Sequence, residues 1–289
     1  MAMKVLLTGA NGFVGANLSR KIVDTTDWDL TCIVRDDGDR IPDQVTTWRH
    51  NLKNELASDE KFDLIIHAAG NPSSKSCIEN PTSAVSDNIT STFNILEFAR
   101  RAGTKKFVFF STCEVYKNRA GDATEDDPVC SHNMYAATKL ACEHICEAYA
   151  RTYGIQVIMF RLLNTWGPHC QPDRFPSIVT RRFAQETTPH FVLDTRSTKR
   201  WLAIEEMATR VIRTINLWTE SPFEIYNLVG DDDLSLDQFI SKFGSNFTFE
   251  YTDRVHEKGY VPAMNALGLK LKALLSKNNN EAIAECFHH

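Results

Sequence analysis

The chain has 289 residues, of which 43% are hydrophobic and 24% are charged, and its formal net charge is -5. This length and apolar content allow two domains with a buried core, which excludes a disordered chain and a small disulfide-stabilised domain. The mild acidity argues against a nucleic-acid or membrane partner, and no apolar run reaches the ~20 residues that span a bilayer. The eight cysteines lack C-x-x-C spacing. We therefore expect free thiols, no metal site and a cytoplasmic location.

Short apolar runs alternate with helical patterns along the first two-thirds of the chain, which is typical of parallel βαβ units. Five of these runs are short and rich in β-branched or aromatic residues, as in strands buried on both faces. The predicted strands are Lys4–Thr8, Leu30–Val34, Leu64–His67, Lys106–Ser111 and Gln156–Arg161.

Helices are predicted between these strands over Asn88–Arg101 and Asn133–Tyr153, each followed by a glycine that ends it. The apolar side of the second helix is predicted to carry Leu140, Ile145 and Ala148. Prolines become frequent after Trp166, and we place the start of a second lobe there. Later elements are predicted as helices at Ile204–Leu217 and Leu236–Phe243 and a strand at Phe223–Leu228.

The first predicted strand leads into a glycine-rich loop with the spacing G-x-x-G-x-x-G, which differs from the usual G-x-G-x-x-G. Glycines permit a tight turn and a close approach of the backbone to a pyrophosphate, and the following helix N-terminus supplies N–H groups. The strand before and the helix after the loop predict dinucleotide binding. The residues expected to bind are Gly9, Asn11, Gly12, Phe13, Val14 and Gly15.

The end of the second strand bears on the choice between NAD and NADP. An acidic residue there binds the adenosine ribose of NAD, whereas an arginine suits the 2′-phosphate of NADP. Arg35 takes the first position after the strand and favours NADP, while Asp36 and Asp37 follow and suit NAD. The sequence leans towards NADP and leaves both cofactors open.

Tyr135 and Lys139 stand four residues apart on one face of the predicted helix. A positive charge so close is expected to lower the pKa of the Tyr135 phenol from about 10 towards neutrality, which makes it a usable general base. A tyrosine and a lysine at this spacing are common by chance. The pair indicates a catalytic site only because it occurs together with the glycine loop and the alternating strands.

Seven segments in order resemble the extended short-chain dehydrogenase/reductase family, in its NAD(P)-dependent nucleotide-sugar epimerase/dehydratase branch. They are Thr8–Gly15, Asp63–Gly70, Phe110–Tyr116, Tyr135–Lys139, Arg161–Pro168, Lys199–Ala208 and Tyr226–Phe239. The resemblance implies an α/β, Rossmann-like, doubly wound and mostly parallel sheet in residues 1–165. It also implies a smaller C-terminal lobe in residues 166–289, partly interleaved with the sheet, that binds a nucleotide diphosphate sugar. We further expect a homodimer.

The resemblance assigns residues to each part of the site. Thr112 and Tyr135 would contact the sugar C4 oxygen, Tyr135 would remove its proton, and Lys139 would tune Tyr135 and bind the nicotinamide ribose. The further cofactor contacts implied are Asn51, where the family often has Asp, and Leu52, Ala68, Ala69, Gly70 and Asn88. The further substrate contacts implied are Asn164, Arg200 and, by a looser match, Arg254.

The segment Ser111–Tyr116, which reads STCEVY, addresses the step after C4 oxidation. Glu114 is positioned like the family base that removes the C5 proton, which favours a 4,6- or 5,6-dehydratase. Cys113 departs from the family patterns and is either an acid for the leaving hydroxyl or a buried packing residue. The alternatives that stay open are a 4-epimerase, a UDP-glucuronate-type decarboxylase and a non-catalytic dinucleotide-binding regulator.

Overall fold

The structure is a computed structural model that describes residues 2–36, 38, 40–116, 122–193, 198–218, 220–252, 265–266 and 268–276. Its centre is a seven-stranded parallel sheet. The strands are β1 (Lys4–Thr8), β2 (Asp29–Val34), β3 (Thr46–Arg49), β4 (Leu64–His67), β5 (Lys106–Thr112), β6 (Gln156–Leu162) and β7 (Phe223–Leu228). Their order across the sheet is β3-β2-β1-β4-β5-β6-β7. The order reverses between β1 and β4, and parallel sheets of this kind bind ligands at the carboxyl ends of the strands beside such a reversal.

Helices cover both faces of the sheet. They are α1 (Phe13–Thr25), α2 (Ser74–Glu79), α3 (Pro81–Ala84), α4 (Ser91–Ala102), α5 (Met134–Tyr153), α6 (Phe175–Gln185), α7 (Ile204–Asn216) and α8 (Leu236–Ser241), with a further helix over residues 269–276. One apolar cluster joins Val5 and Leu7 of β1 to α1 and α7, and another joins Leu6 to α4 and α5. Successive residues of β1 thus face opposite layers, as expected for a strand buried on both sides.

A separate apolar cluster, formed from α6, α8 and two short strands, lies in the C-terminal part of the chain. It is rich in aromatic rings, among them Trp201, which stacks on Phe239 of α8 with ring centroids 4.0 Å apart. The short strands outside the main sheet are Asp122–Ala123, Thr165–Trp166, His190–Leu193, Lys199–Arg200, Leu202–Ala203, Asp233–Leu234, Thr248–Tyr251 and Asn265–Ala266. Because β7 and α7 return to the main sheet, the C-terminal part is interleaved with it. The division at residue 165 stays a prediction.

The α/β fold class and the five predicted strands are confirmed. Strand β3 was missed because it is an edge strand whose side chains are largely solvent-exposed, so it carries no apolar pattern. The predicted helix Asn88–Arg101 is divided: a π-helical turn, Val85–Thr90, precedes α4. The predicted apolar side of α5 is wrong, since Ala148 is exposed and the buried side includes Tyr135 and Lys139.

The seven cysteines in the described ranges are free thiols. In the same ranges, no helix has the length and hydropathy required to cross a membrane. These ranges also contain no group of three or more histidine, cysteine, aspartate and glutamate side chains arranged to hold a metal ion.

Candidate active site

The glycine loop lies between β1 and α1, at the edge where the strand order reverses. Gly9 has φ of +70°, and a Cβ there would lie 2.6 Å from the backbone nitrogen of Ala69. A Cβ on Gly15 would lie 2.2 Å from the carbonyl oxygen of Gly9. Only glycine fits these positions, because real Cβ atoms do not approach other atoms so closely. The N-terminal turn of α1, which contains Phe13 and Val14, therefore packs directly against the loop, and no side chain caps it.

An open cleft of about 690 Å³ extends from this loop along the ends of β2 and β4. Of the residues predicted to bind the cofactor, those lining the cleft are Gly9, Asn11, Gly12, Arg35, Asn51, Leu52, Ala68, Ala69 and Gly70. The Oδ1 atom of Asn11 is buried in this region without a hydrogen-bond partner among the described residues. The bare helix N-terminus and the glycine cradle fit an extended ligand with a pyrophosphate, and the unpartnered Asn11 oxygen fits a hydroxyl or another donor of such a ligand.

Two arginines lie at the end of the cleft beyond β2. The Arg35 side chain is 69% exposed and pairs with Asp36 at 2.9 Å. Arg40, which the sequence reading did not single out, lines the same cleft and donates from Nη1 to the carbonyl oxygen of Asn11 at 3.2 Å. Asp36 accepts a bond from the Asn11 side chain through its backbone oxygen, so its side chain is left to Arg35.

Asn88 connects the cleft to the helix that carries Tyr135. Its buried Oδ1 accepts a hydrogen bond from the backbone of Asn71 at 2.7 Å, and its Nδ2 donates to Thr138 Oγ1 at 2.9 Å. Thr138 in turn donates to the carbonyl oxygen of Tyr135 at 2.9 Å. Asn88 therefore holds the cleft wall and α5 in a fixed relation, a role that its place in the π-helical turn makes possible.

Tyr135, Lys139 and Thr112 come together at the carboxyl end of β5, and each is less than one-tenth exposed. Lys139 Nζ donates to the carbonyl oxygen of Phe110 at 2.8 Å and lies 4.8 Å from the centre of the Phe109 ring. Burial lowers the pKa of Lys139. The structure thus brings the predicted hydroxyl, phenol and ammonium into one place.

The predicted lowering of the Tyr135 pKa by Lys139 is wrong. The pKa of Tyr135 is raised above its usual value, first by burial and then by the negative charge of Glu114. A hydrogen bond with Thr112 and the positive charge of Arg174 act in the opposite direction. Desolvation of the phenol outweighs the nearby charges because this face of α5 is buried. The spacing of Tyr135 and Lys139 in the sequence does not reveal that burial.

Glu114 lies in a single helical turn, Cys113–Val115, directly after β5. Its Oε2 accepts a hydrogen bond from Ser74 Oγ at 3.0 Å and a longer one from Asn133 Nδ2 at 3.5 Å. Asn133 also caps α5 by accepting from the backbone of Ala136 at 2.8 Å. Neither Ser74 nor Asn133 was singled out from the sequence. The capping role of Asn133 can be predicted from the sequence, because Asn is common at the position before a helix. Ser74 lies 40 residues from Glu114, and no sequence pattern links the two.

Cys113 turns away from this group. Its Sγ donates to the carbonyl oxygen of Arg161 at 3.2 Å, and the residue is fully buried in an apolar cluster with Tyr116 and Val229. Burial raises the pKa of the Cys113 thiol well above its usual range. Of the two interpretations left open by the sequence, this environment favours packing over proton donation.

The predicted substrate residues follow β6 and lie in the C-terminal part of the chain. Asn164 has φ of +49°, and its Nδ2 is buried without a hydrogen-bond partner among the described atoms, as expected for a group that awaits a ligand. Arg200 instead contacts Asp122 at 3.2 Å and the carbonyl oxygen of Asp231 at 2.6 Å. A substrate phosphate would therefore bind Arg200 alongside these two partners. Arg254 lies outside the described residues.

His67 has no solvent exposure and connects the cofactor strand to the helical layer. Its Nδ1 lies 2.7 Å from Thr8 Oγ1, and its Nε2 lies 3.0 Å from Thr92 Oγ1. Burial and the charge of Lys139 lower its pKa to about 3, so the ring is neutral. These contacts and the neutral ring indicate a structural role for His67.

The fold and the cleft define a dinucleotide-binding α/β protein with a tyrosine–lysine pair beside Gly70 of the cleft wall. A family model described as the NAD dependent epimerase/dehydratase family matches residues 5–228. The chain belongs to this family, so its cofactor is a nicotinamide adenine dinucleotide. The chain is 27% identical to an uncharacterized protein of Methanocaldococcus jannaschii, over 95% of this chain and 88% of that one.

Relatives of described activity include both kinds of enzyme in the family name. The chain is 27% identical to a dTDP-glucose 4,6-dehydratase of Streptomyces antibioticus, over 81% of this chain and 74% of that protein. Among solved structures, a UDP-glucuronic acid 4-epimerase from Bacillus cereus superimposes with a TM-score of 0.82 at 22% identity, covering 95% of this chain and 93% of that one. The likeness to the solved structure supports the fold, and the two relatives differ in their reactions.

Proposed function

We propose that the protein is a nucleotide-sugar dehydratase that oxidises the sugar transiently at C4, removes the C5 proton with Glu114 and eliminates water. The observation that carries this proposal is the Glu114 carboxylate, held by Ser74 and Asn133 beside the Tyr135 phenol. A 4-epimerase has no need of a carboxylate there, whereas an elimination needs a base for the proton next to the 4-keto group.

The oxidation step uses Thr112, Tyr135 and Lys139. When bound, the oxidised dinucleotide supplies a hydride acceptor and a positive ring charge. Thr112 and Tyr135 hydrogen-bond the C4 oxygen, and Tyr135 takes the hydroxyl proton as C4 loses its hydride. A positive charge near the phenol opposes the burial that raises the pKa of Tyr135.

The elimination step uses Glu114 twice. The carboxylate first takes the C5 proton, which the 4-keto group has made acidic, and thereby becomes a carboxylic acid. The same acid then donates this proton to the C6 hydroxyl, which leaves as water while a C5–C6 double bond forms. Ser74 and Asn133 donate hydrogen bonds to the charged form and fix its orientation. A 4,6-dehydratase results if the hydride adds to C6 and a proton adds to C5, the proton equivalent being the one that Tyr135 took from the C4 hydroxyl. A 5,6-dehydratase results if the hydride returns to C4 and Tyr135 returns that proton to the C4 oxygen.

The cofactor in this proposal is NADP. Arg35 and Arg40 both line the end of the cleft beyond β2, and the Asp36 carboxylate is engaged by Arg35. A guanidinium suits a 2′-phosphate by its charge and its planar donors. The nucleotide diphosphate of the sugar is assigned to Asn164 and Arg200, with Arg254 as a further contact.

A homodimer is proposed through the outer face of α4 and α5. Phe93 of α4 is 46% exposed and Tyr153 of α5 is 51% exposed. The exposed rings flank Tyr149. Phe93 meets Tyr149 edge-on, with ring centroids 6.5 Å apart, within the range of about 4.5–7 Å that is typical of aromatic pairs. Large aromatic side chains on adjacent helices mark an interaction surface.

The test is incubation of the purified protein with UDP-, dTDP- and GDP-sugars in the presence of NADP or NAD, with products read by mass and by NMR. Loss of one water from the sugar supports the proposal. Loss of carbon dioxide would assign a decarboxylase, and unchanged mass with altered ring couplings would assign an epimerase. No turnover of any sugar, together with no effect of Tyr135→Phe on ligand binding, would assign a non-catalytic dinucleotide-binding protein.

The role of Glu114 is tested by Glu114→Gln. We expect this variant to form the reduced cofactor while product formation is lost. The matched control is Glu147→Gln, which removes a carboxylate of α5 that pairs with Arg151 at 2.7 Å, and it should retain product formation. Full turnover by Glu114→Gln would exclude Glu114 as the base.

A further inference from the structure

A buried ion pair lies beneath the segment that carries Glu114. Arg161 of β6 and Glu143 of α5 are each 4% exposed at the side chain and form two nitrogen–oxygen contacts, at 3.0 and 2.7 Å. Removing two charges from water costs so much that apolar residues of similar size often stabilise a protein as well or better. Stability alone therefore does not account for this pair, and its contacts indicate another role.

The ion pair touches the segment from Ser111 to Tyr116 at both ends and in the middle. Ser111 Oγ, one residue before Thr112, donates to Glu143 Oε1. The Arg161 guanidinium lies 4.7 Å from the centre of the Tyr116 ring, and the carbonyl oxygen of Arg161 accepts from Cys113. Glu114 thus lies in a short segment in which Ser111, Cys113 and Tyr116 each contact one of these two charged residues.

Tyr116 extends the network to the edge of the sheet. Its hydroxyl donates to Asn227 Oδ1 at 2.6 Å, and the backbone nitrogen of Asn227 donates to Glu125 Oε1 at 2.8 Å. The phenol is fully buried, so loss of its hydroxyl removes a buried hydrogen bond to the Asn227 amide. The far end of the Glu114 segment is therefore tied to β7 through one hydroxyl.

The same ion pair fixes the segment relative to the helix that carries Tyr135. Residues 135, 139 and 143 are four apart, so Glu143 lies on the buried face of α5 that also presents Tyr135 and Lys139. We propose that the Arg161–Glu143 pair, acting through Ser111 and Tyr116, is a positioning device that holds the Glu114 carboxylate in place relative to Tyr135. This inference rests on the proposed function.

The oxidation step has anchors of its own. Lys139 is held by the carbonyl oxygen of Phe110, and the first turn of α5 is held by Asn88 through Thr138. These contacts do not pass through Tyr116 or Asn227. Damage to the Tyr116 end of the network should therefore affect the base Glu114 and leave the C4 oxidation residues in place.

The kinetic test uses Tyr116→Phe, which keeps the ring under Arg161 and removes the bond to Asn227. The readouts are formation of the reduced cofactor, by absorbance in a single turnover, and loss of water from the sugar, by mass. We expect cofactor reduction within ~3-fold of wild type and water loss slowed at least ~10-fold, because small displacements of a catalytic group have large rate effects. Equal slowing of both steps, or of neither, would overturn the inference.

The matched control is Tyr226→Phe, which removes a hydroxyl from a buried tyrosine of β7, one residue before Asn227, in the main apolar cluster. This variant should leave both steps within ~3-fold of wild type. Preferential loss of the elimination step in this control would show that any buried change in β7 has the same effect, and the inference would fail.

A structural readout separates this inference from the proposed function. In the double variant Arg161→Met/Glu143→Leu, an apolar pair replaces the ions, and thermal melting checks that the protein folds. A crystal structure should show that Glu114 has lost its 3.0 Å contact with Ser74. If that contact is retained, the inference is wrong whether or not any sugar turns over. If Glu114 is displaced but the wild-type protein turns over no sugar, the positioning device stands and the proposed function fails.

Discussion

The neutral state of His67 predicts a specific dependence of stability on pH. Its pKa is lowered from 6.5 to about 3 by burial and by the charge of Lys139. Thr92 donates its hydroxyl proton to the carbonyl oxygen of Asn88 at 2.7 Å, so it accepts from His67, and the ring proton is assigned to Nε2. Nδ1 then accepts from Thr8. A second proton on the ring would occupy Nδ1, the atom that accepts from Thr8, so the protonated ring would lose this hydrogen bond.

The sign and size of the effect follow from proton binding. Between pH 6.5 and 3 the unfolded chain binds a proton at this histidine and the folded chain does not, so stability falls as the pH falls. Each pH unit in that window is worth about 1.4 kcal/mol, which gives about 2 kcal/mol lost from His67 between pH 7 and 5. Stability from the neutral ring is fully present above its unfolded pKa.

The assay is urea unfolding of wild type and His67→Gln, followed by tryptophan fluorescence at pH 7, 6 and 5. The variant should be less stable at pH 7 because buried hydrogen bonds and the stacking on Phe109 are lost. Between pH 7 and 5, however, it should lose about 2 kcal/mol less than wild type. His144→Gln removes an exposed histidine of α5 and should keep the wild-type dependence. Equal losses for wild type and His67→Gln would refute the reasoning.

Three further predictions concern the cofactor loop, the cofactor choice and the Glu114 segment. Gly15→Ala places a Cβ 2.2 Å from the Gly9 carbonyl oxygen, and we expect dinucleotide binding, measured by fluorescence titration, to weaken at least ~10-fold. Arg35→Ala should reduce the preference for NADP over NAD by roughly 10-fold in competitive titration; an unchanged ratio would point to Arg40 instead. Cys113→Ala should lower the melting temperature but keep water elimination within ~5-fold, whereas loss of elimination in a folded variant would restore its role as the acid.

The sheet was largely predictable because its strands are buried on both faces. Such strands are continuous apolar runs, and β1 and β4 begin and end at the residues that the sequence predicts. Edge strand β3 has no such run, and its pairing with β2 depends on the neighbouring strand rather than on its own residues. Local pattern therefore identifies the centre of the sheet and misses its edge.

The site was predictable in its residues and less so in its electrostatics. The spacing of Tyr135 and Lys139 predicts that they share a helical face, and they do. It does not reveal that Lys139 bonds to the carbonyl oxygen of Phe110, from a different element, or that burial outweighs charge at the phenol. A pKa depends on everything packed around a group, including residues that are distant in the sequence.

The sequence predicted the wrong buried face for α5 because the face that is buried carries the polar residues of the site. Apolar spacing selected Leu140, Ile145 and Ala148, whereas the buried face contains Tyr135, Lys139 and Glu143 together with two cysteines. A helix normally buries its apolar side, since burying polar groups is costly unless each finds a partner. Here each does: Tyr135 meets Thr112, Lys139 meets Phe110, and Glu143 meets Arg161. The polar residues of this face, at four-residue spacing, are buried and each has a partner, and chemistry at the Tyr135 end of the face is the reason that fits their contacts.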